Sequence, residues 1–211
     1  LNRASKSEPA DVEATTESME TTHYSVVDAS GMAVSVTYTL EGNYGVGIVA
    51  PGTGFLLNNE MGDFNPKPGL TNTSGLIGTQ PNLARPEQRM LSSMTPAIVA
   101  KDGKLVAVVG SPGGRTIINT VTQVISNIID FKMDIQRAVN APRFHHQWLP
   151  DQLSIERDGV TEATLNRLKE MGHNARVGGQ QGHAHSIMVD ASGRRVGAAD
   201  PRDRDAGAAG H

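Results

Sequence analysis

A threonine hydroxyl becomes a useful nucleophile once a base takes its proton, and a chain N-terminus supplies that base within the same residue. Thr21, in the stretch Thr21-Thr22-His23-Tyr24, heads a β-branched segment and is a candidate for this chemistry. A free α-amino group has an unperturbed pKa of about 7.7–8.0, near enough to neutrality to act without a histidine. The role requires the bond between Glu20 and Thr21 to be cut, because an amide nitrogen has no available lone pair. Further along, Gly110-Ser111-Pro112-Gly113-Gly114 follows a strand-like run. Its glycine pair can aim bare backbone N–H groups at an oxyanion. A nucleophile with its own base and an oxyanion-stabilising turn are the two halves of an amide-cleaving site. Each also has an ordinary reading: Thr-Thr commonly opens a strand, and Gly-Gly before a helix is a plain turn or a generic anion nest.

These residues need elements to hold them. Tyr24–Val27 and Ala33–Thr39 read as β-branched strands joined across Ser30-Gly31. Gly52–Leu57 reads as a further short strand. Residues 62–90, rich in Pro, Gly, Asn and Thr, form a long loop whose length makes it a lid candidate. Pro96–Ala100 and Leu105–Val109 flank the turn Asp102-Gly103 as a second hairpin. Thr116–Ile129 carries apolar residues at 117, 118, 121, 124, 125, 128 and 129, a helical stripe wide enough to lie on a sheet. Ile135–Val139 predicts a short helix. Thr161–Met171 predicts another, capped by Thr161, with Leu165 and Leu168 inward and Gly172 ending it. Ser186–Val189 and Val196–Ala199 complete a last hairpin over Ser192-Gly193. No internal repeat is evident. Hairpins plus packing helices predict an α+β fold with two stacked sheets between helix layers.

At 211 residues the chain is one domain's worth of material. Aromatic content is only 4%, so the core must be built from aliphatic side chains. The net charge of −3, with both signs interleaved and no basic stripe, argues against a nucleic-acid partner. No apolar run approaches the roughly 20 residues of a membrane-spanning helix. The absence of cysteine excludes thiol chemistry and disulfides. Residues 1–20 are polar and acidic and read as a flexible segment, because such composition cannot offset ordering entropy by burial. The chain begins at Leu1 without an export signal and reads as a piece of a longer product.

Five segments, in order, resemble the small subunit of γ-glutamyltranspeptidases, N-terminal-nucleophile hydrolases that mature by cutting themselves. They are Thr21–Asp28, Leu57-Asn58-Asn59-Glu60-Met61, Leu91-Ser92-Ser93-Met94, Gly110–Gly114 and Asn140-Ala141-Pro142-Arg143-Phe144. The resemblance implies an αββα sandwich over residues 21–211, with residues 1–20 upstream of a maturation cut between Glu20 and Thr21. It implies γ-glutamyl transfer from glutathione or a related amide to water or an amine, through a γ-glutamyl ester on Thr21. Thr39 matches the second threonine, whose hydroxyl contacts the nucleophile, and Gly113 and Gly114 match the oxyanion hole. Ser92 and Ser93 match the pair that binds the donor's α-carboxylate, while Glu41, Glu60 and Asp63 fall where the α-ammonium is held. A zwitterionic glutamyl head needs donors at one end and acceptors at the other, so the residue types fit. No cofactor is implied. A large subunit from the same precursor is the expected partner, and the periplasm or the cell exterior the expected location.

Three positions depart from the pattern: Glu41 stands where many relatives carry Asn, Ser74 where some carry a lid tyrosine, and Gly62 replaces an acid beside Asp63. The family's arginine for the α-carboxylate lies in the large subunit. His145 and His146 are adjacent and would face opposite sides of a strand, and His183 and His185 have no evident third partner. A metal site is therefore not expected. Two rivals stay open: a cephalosporin-type acylase on the same fold, and an unprocessed chain that only binds ligand or partner.

Overall fold

The computed structural model describes residues 21–65 and 80–210. The expectations for residues 1–20, Glu20 and Ser74 therefore fall outside the described residues.

Strands β1 (Thr21–Val27) and β2 (Ala33–Thr39) pair antiparallel over their full length, with Thr21 opposite Thr39 and Val27 opposite Ala33. β1 starts three residues earlier than the β-branched run predicts, so the candidate nucleophile is a ladder residue. Side chains alternate across a strand. One face therefore carries Thr21, His23 and Ser25 beside Ser35, Thr37 and Thr39, and the other carries Tyr24, Val26, Val34 and Tyr38. The polar face is the one turned inward: His23 is buried, whereas Tyr24, Val26, Val34 and Tyr38 are exposed.

The inward face lies against a four-stranded sheet of order β3-β4-β8-β9, formed by Ala97–Lys101, Lys104–Val109, Ser186–Val189 and Arg195–Ala198. Side chains bridge the two layers. Ser25 Oγ donates to the His185 carbonyl at 2.8 Å, and Ser35 Oγ to the Val109 carbonyl at 3.2 Å. Helices α1 (Ile117–Ile129) and α2 (Ile135–Asn140) pack on this sheet through an aliphatic core that includes Ala107, Val109, Val121, Val124, Ile135 and Val139. The core is aliphatic, as the scarcity of aromatic residues requires. α1 begins at Ile117 because a 3₁₀ turn, Gly114–Thr116, precedes it. Helix α3 (Glu162–Glu170) is capped as predicted, the Thr161 hydroxyl accepting from Thr164 N at 3.2 Å.

Two expectations fail. Gly52–Leu57 is not a strand: Leu57 N bonds back to Ile48 O and Ala50 N to Phe55 O, so the segment turns on itself with one bridge, Val49 to Leu56. A third sheet of order β5-β6-β7, from Phe144–His145, Leu153–Ile155 and Ala175–Val177, was not legible because its strands are two or three residues long. The first and last hairpins share a turn sequence. Asp28-Ala29-Ser30-Gly31 and Asp190-Ala191-Ser192-Gly193 turn the first and last hairpins alike. In each, the aspartate Oδ1 accepts from the serine N and Oγ two residues on. Among the described residues no helix is long and apolar enough to cross a membrane.

Candidate active site

The two threonines meet at the open end of the β1–β2 hairpin, the pair farthest from its turn. Directly opposed residues of an antiparallel pair project to the same side with Cβ atoms about 4.5–5.5 Å apart, which brings both hydroxyls into one neighbourhood. Thr39 Oγ1 accepts from the Glu41 N–H at 2.9 Å, and Glu41 takes a left-handed backbone with φ 69°. The hydroxyl thus fixes the turn that sends the Glu41 side chain away from the strand.

That side chain lies over Gly62, where a Cβ would stand 2.3 Å from Glu41 Oε1. Gly62 therefore leaves the space that the Glu41 carboxylate occupies. Gly62 belongs to a 3₁₀ turn, Glu60–Asp63, which contributes the other two acids. Burial, then the charges of Asp63 and Glu41, push the Glu60 carboxyl above the ordinary carboxylate range. Burial raises Asp63 as well, opposed by the hydroxyl of Ser93, 3.4 Å from Asp63 Oδ2. Three acids and Ser93 are thereby gathered. Ser92 lines a cavity together with Asp63; it is exposed, and its hydroxyl donates to Met94 O at 3.3 Å and accepts from Met94 N at 3.2 Å.

The glycine pair follows β4 across Gly110-Ser111-Pro112 and opens the 3₁₀ turn before α1. Gly113 has φ 135°, a conformation closed to side-chain-bearing residues, and its carbonyl accepts from Thr116 N and Thr116 Oγ1 at 3.1 and 2.8 Å. The link between this turn and β1 is His23. Its ring rests on Gly110, where a Cβ would come within 2.0 Å of Cε1. Nδ1 bonds Thr37 Oγ1 at 2.9 Å and Nε2 bonds Ser25 Oγ at 3.1 Å. Burial, aided by the nearby His185, pushes its pKa down to about 4, so the ring is neutral near pH 7. On the inward face of the hairpin, His23 thus sits between Gly110 and Thr37, and the Thr21–Thr39 pair one step along leads to Glu41.

Residues 2–210 match the family model of γ-glutamyltranspeptidase. This chain belongs to the γ-glutamyltranspeptidase family. It is 51% identical over 195 residues to the glutathione hydrolase proenzyme of Escherichia coli K12, covering 92% of this chain and 33% of that protein. It is 45% identical over 192 residues to the corresponding proenzyme of Pseudomonas aeruginosa, covering 89% and 34%. The chain thus spans about one third of the length of these relatives. A Helicobacter pylori γ-glutamyltranspeptidase mutant superposes with a TM-score of 0.79 at 49% identity, covering 86% of this chain and 100% of that one. Cephalosporin acylase from Bacillus halodurans superposes with a TM-score of 0.70 at 26% identity, covering 84% and 32%.

Within this γ-glutamyltranspeptidase fold His145 and His146 have protein partners. His145 bonds Asn119 through Nδ1 at 3.0 Å and Gln147 through Nε2 at 2.7 Å, while His146 Nε2 meets Asp151 at 3.1 Å. Among the described residues no three His, Cys, Asp or Glu side chains converge as a metal site would require. Two features of the surroundings escaped the sequence reading. One is His23, whose signal was the run of polar residues at alternate positions 21, 23 and 25. The other is the buried charge cluster of Arg143, Glu156, Asp200 and Arg202, which no local pattern announces.

Proposed function

We propose that this chain is the catalytic portion of a γ-glutamyltransferase and glutathione hydrolase, acting after cleavage between Glu20 and Thr21. In that cleavage the Thr21 hydroxyl attacks the preceding carbonyl, and water hydrolyses the resulting ester. The freed α-amine then takes the Thr21 Oγ proton as the oxygen attacks the γ-carbonyl carbon of the donor. The carbonyl electron pair moves onto oxygen, where the Gly113 and Gly114 N–H groups stabilise it. Collapse breaks the C–N bond, the proton passes from the Thr21 ammonium to the leaving amine, and a γ-glutamyl ester remains. Water or an acceptor amine gives its proton to the same amine and releases the ester by the reverse steps.

In this reading Thr39 contacts the nucleophile, Ser92 and Ser93 bind the donor α-carboxylate, and Glu41, Glu60 and Asp63 hold its α-ammonium. The observation that carries it is the register of Thr21 against Thr39, two residues from the Glu41 carboxylate. The acid cluster also weighs against the acylase reading, because a substrate without a free ammonium has little need of three carboxylates. The chain's one-third span supports a large subunit from the same precursor as partner. The exposed Tyr24, Val26, Val34 and Tyr38 face supports a fourth, helical layer beyond the hairpin, completing the αββα sandwich. The same reading has the enzyme working in the periplasm or outside the cell.

Self-cleavage tests the assignment. In the complete precursor, Thr21→Ala remains uncut and Thr21→Ser still cuts, more slowly. Normal processing of the alanine variant would remove Thr21 from the role.

A further inference from the structure

Gly113 is shaped from behind. A Cβ on Gly113 would stand 2.9 Å from the Cα of Gly182, so the two backbones touch directly. Gly182 (φ 60°) is as confined: a Cβ there would lie 2.5 Å from Ser111 Oγ and 3.0 Å from the Pro112 carbonyl. Ser111 joins the two segments, its hydroxyl donating to Pro112 O and accepting from His183 N at 2.8 Å.

The backing segment is pinned by buried charges. Gln181 N donates to Glu156 Oε1 at 2.7 Å, and Arg143 Nη1 donates to Gln181 O at 2.6 Å and Gly182 O at 3.3 Å. Ala184 N donates to Asp200 Oδ2 at 2.7 Å. The charges hold one another: Arg143 Nη2 meets Asp200 Oδ2 at 2.6 Å, and Arg202 bonds both Asp200 Oδ1 and Glu156. The Arg143 side chain is 2% exposed and that of Asp200 0%. Buried ion pairs contribute little net stability relative to apolar residues of similar volume, because desolvation offsets their attraction. Apolar residues could not, however, satisfy and fix the backbone groups of 181, 182 and 184. The network is suited to geometry more than to stability.

We propose that the Arg143–Asp200–Arg202–Glu156 network is a positioning device for the reaction. It holds residues 181–184 as a rigid backing for the Gly113–Gly114 turn and thereby sets the oxyanion donors. The inference rests on the proposed function of that turn. Oxyanion donors act within a narrow range, about 2.7–3.1 Å from the developing charge, so a backing that yields by a few tenths of an ångström slows catalysis. Such a shift weakens transition-state binding more than substrate binding, and it falls on kcat.

The test uses the complete processed enzyme and two variants, Asp200→Asn and Ser111→Ala. The second keeps all four charges and removes only the hydroxyl that joins the segments, so it decides the matter if the first does not fold. Active sites are counted by covalent trapping, and turnover of a γ-glutamyl anilide is expressed per titrated site. The expected result is a fall in kcat per site of about tenfold to a hundredfold, with donor KM within about twofold of wild type. The purified precursors should also fold yet self-cleave more slowly, since that step passes through the same kind of oxyanion. A kcat per site and a self-cleavage rate equal to wild type in Ser111→Ala would overturn the proposal, as would an effect confined to KM. Thr21→Ala, run in parallel, separates the two claims. If it retains turnover, the proposed function fails. If it is dead while Ser111→Ala is fully active, only the positioning role fails.

Discussion

Thr21 and Thr39 are cross-strand partners at the open end of one hairpin, and the Thr39 hydroxyl also accepts the Glu41 N–H. A single hydroxyl therefore stands between the proposed nucleophile and the proposed ammonium site. Thr39→Val keeps the β-branched shape and deletes that group. The expected outcome is a kcat about tenfold lower and a raised donor KM, with Thr39→Ser recovering most of both. Steady-state kinetics on a γ-glutamyl anilide checks this, and unaltered constants in the valine variant would take Thr39 out of the site.

The acids give a pH dependence with a definite sign. Glu60 and Asp63 are raised above the ordinary carboxylate range in the empty site, Glu60 by burial and then by the charges of Asp63 and Glu41. In the proposed site a donor ammonium pairs with the ionised acids, so donor KM should rise as pH falls through these raised values. Glu41→Gln removes one repelling charge and should move that limb to lower pH. A donor with an acetylated α-amine should not be turned over. A KM profile flat from pH 7 down to 4, or fast turnover of the acetylated donor, would refute the ammonium site and advance the acylase reading.

The Glu41 carboxylate fills the space beside Gly62, and it is the mobile end of a flexible side chain. Gly62→Ala should therefore leave the melting temperature nearly unchanged while raising donor KM about tenfold, because the carboxylate must move. A shift in melting temperature without one in KM would mean that the contact is structural only.

His23 couples pH to stability. Its folded pKa is about 4 against an ordinary 6.5, so between those values the unfolded chain takes up a proton that the folded chain refuses. Stability should fall as pH drops from about 6.5 toward 4, and this contribution should vanish in His23→Gln. Thermal melts of both proteins across that range measure it. Parallel pH profiles would show that His23 is not the source.

Much of this was legible because it is local. The Asp102-Gly103 hairpin turn, the Gly113-Gly114 turn, the α1 stripe and the Thr161 cap follow from turn chemistry, helix periodicity and capping, whereas Thr39 and the acids Glu41, Glu60 and Asp63 are named only through the family resemblance. The rest depends on tertiary arrangement. The first hairpin is patterned inside out, with Thr21, His23 and Ser25 inward and Tyr24 and Val26 exposed, since its inner face lines a polar site. Arg143, Glu156 and the pair Asp200 and Arg202 come from three separate loops, and only the fold assembles them. The strands β5 to β7 are shorter than any period that could reveal them.

The most direct measurement is mass spectrometry of the peptide that begins at Thr21 after the processed enzyme is trapped with a γ-glutamyl donor bearing a good leaving group. The account predicts a free α-amine at Thr21 and one γ-glutamyl group esterified to its Oγ, absent from Thr21→Ala. An adduct on another residue, with Thr21 unmodified in a turning-over enzyme, would contradict it.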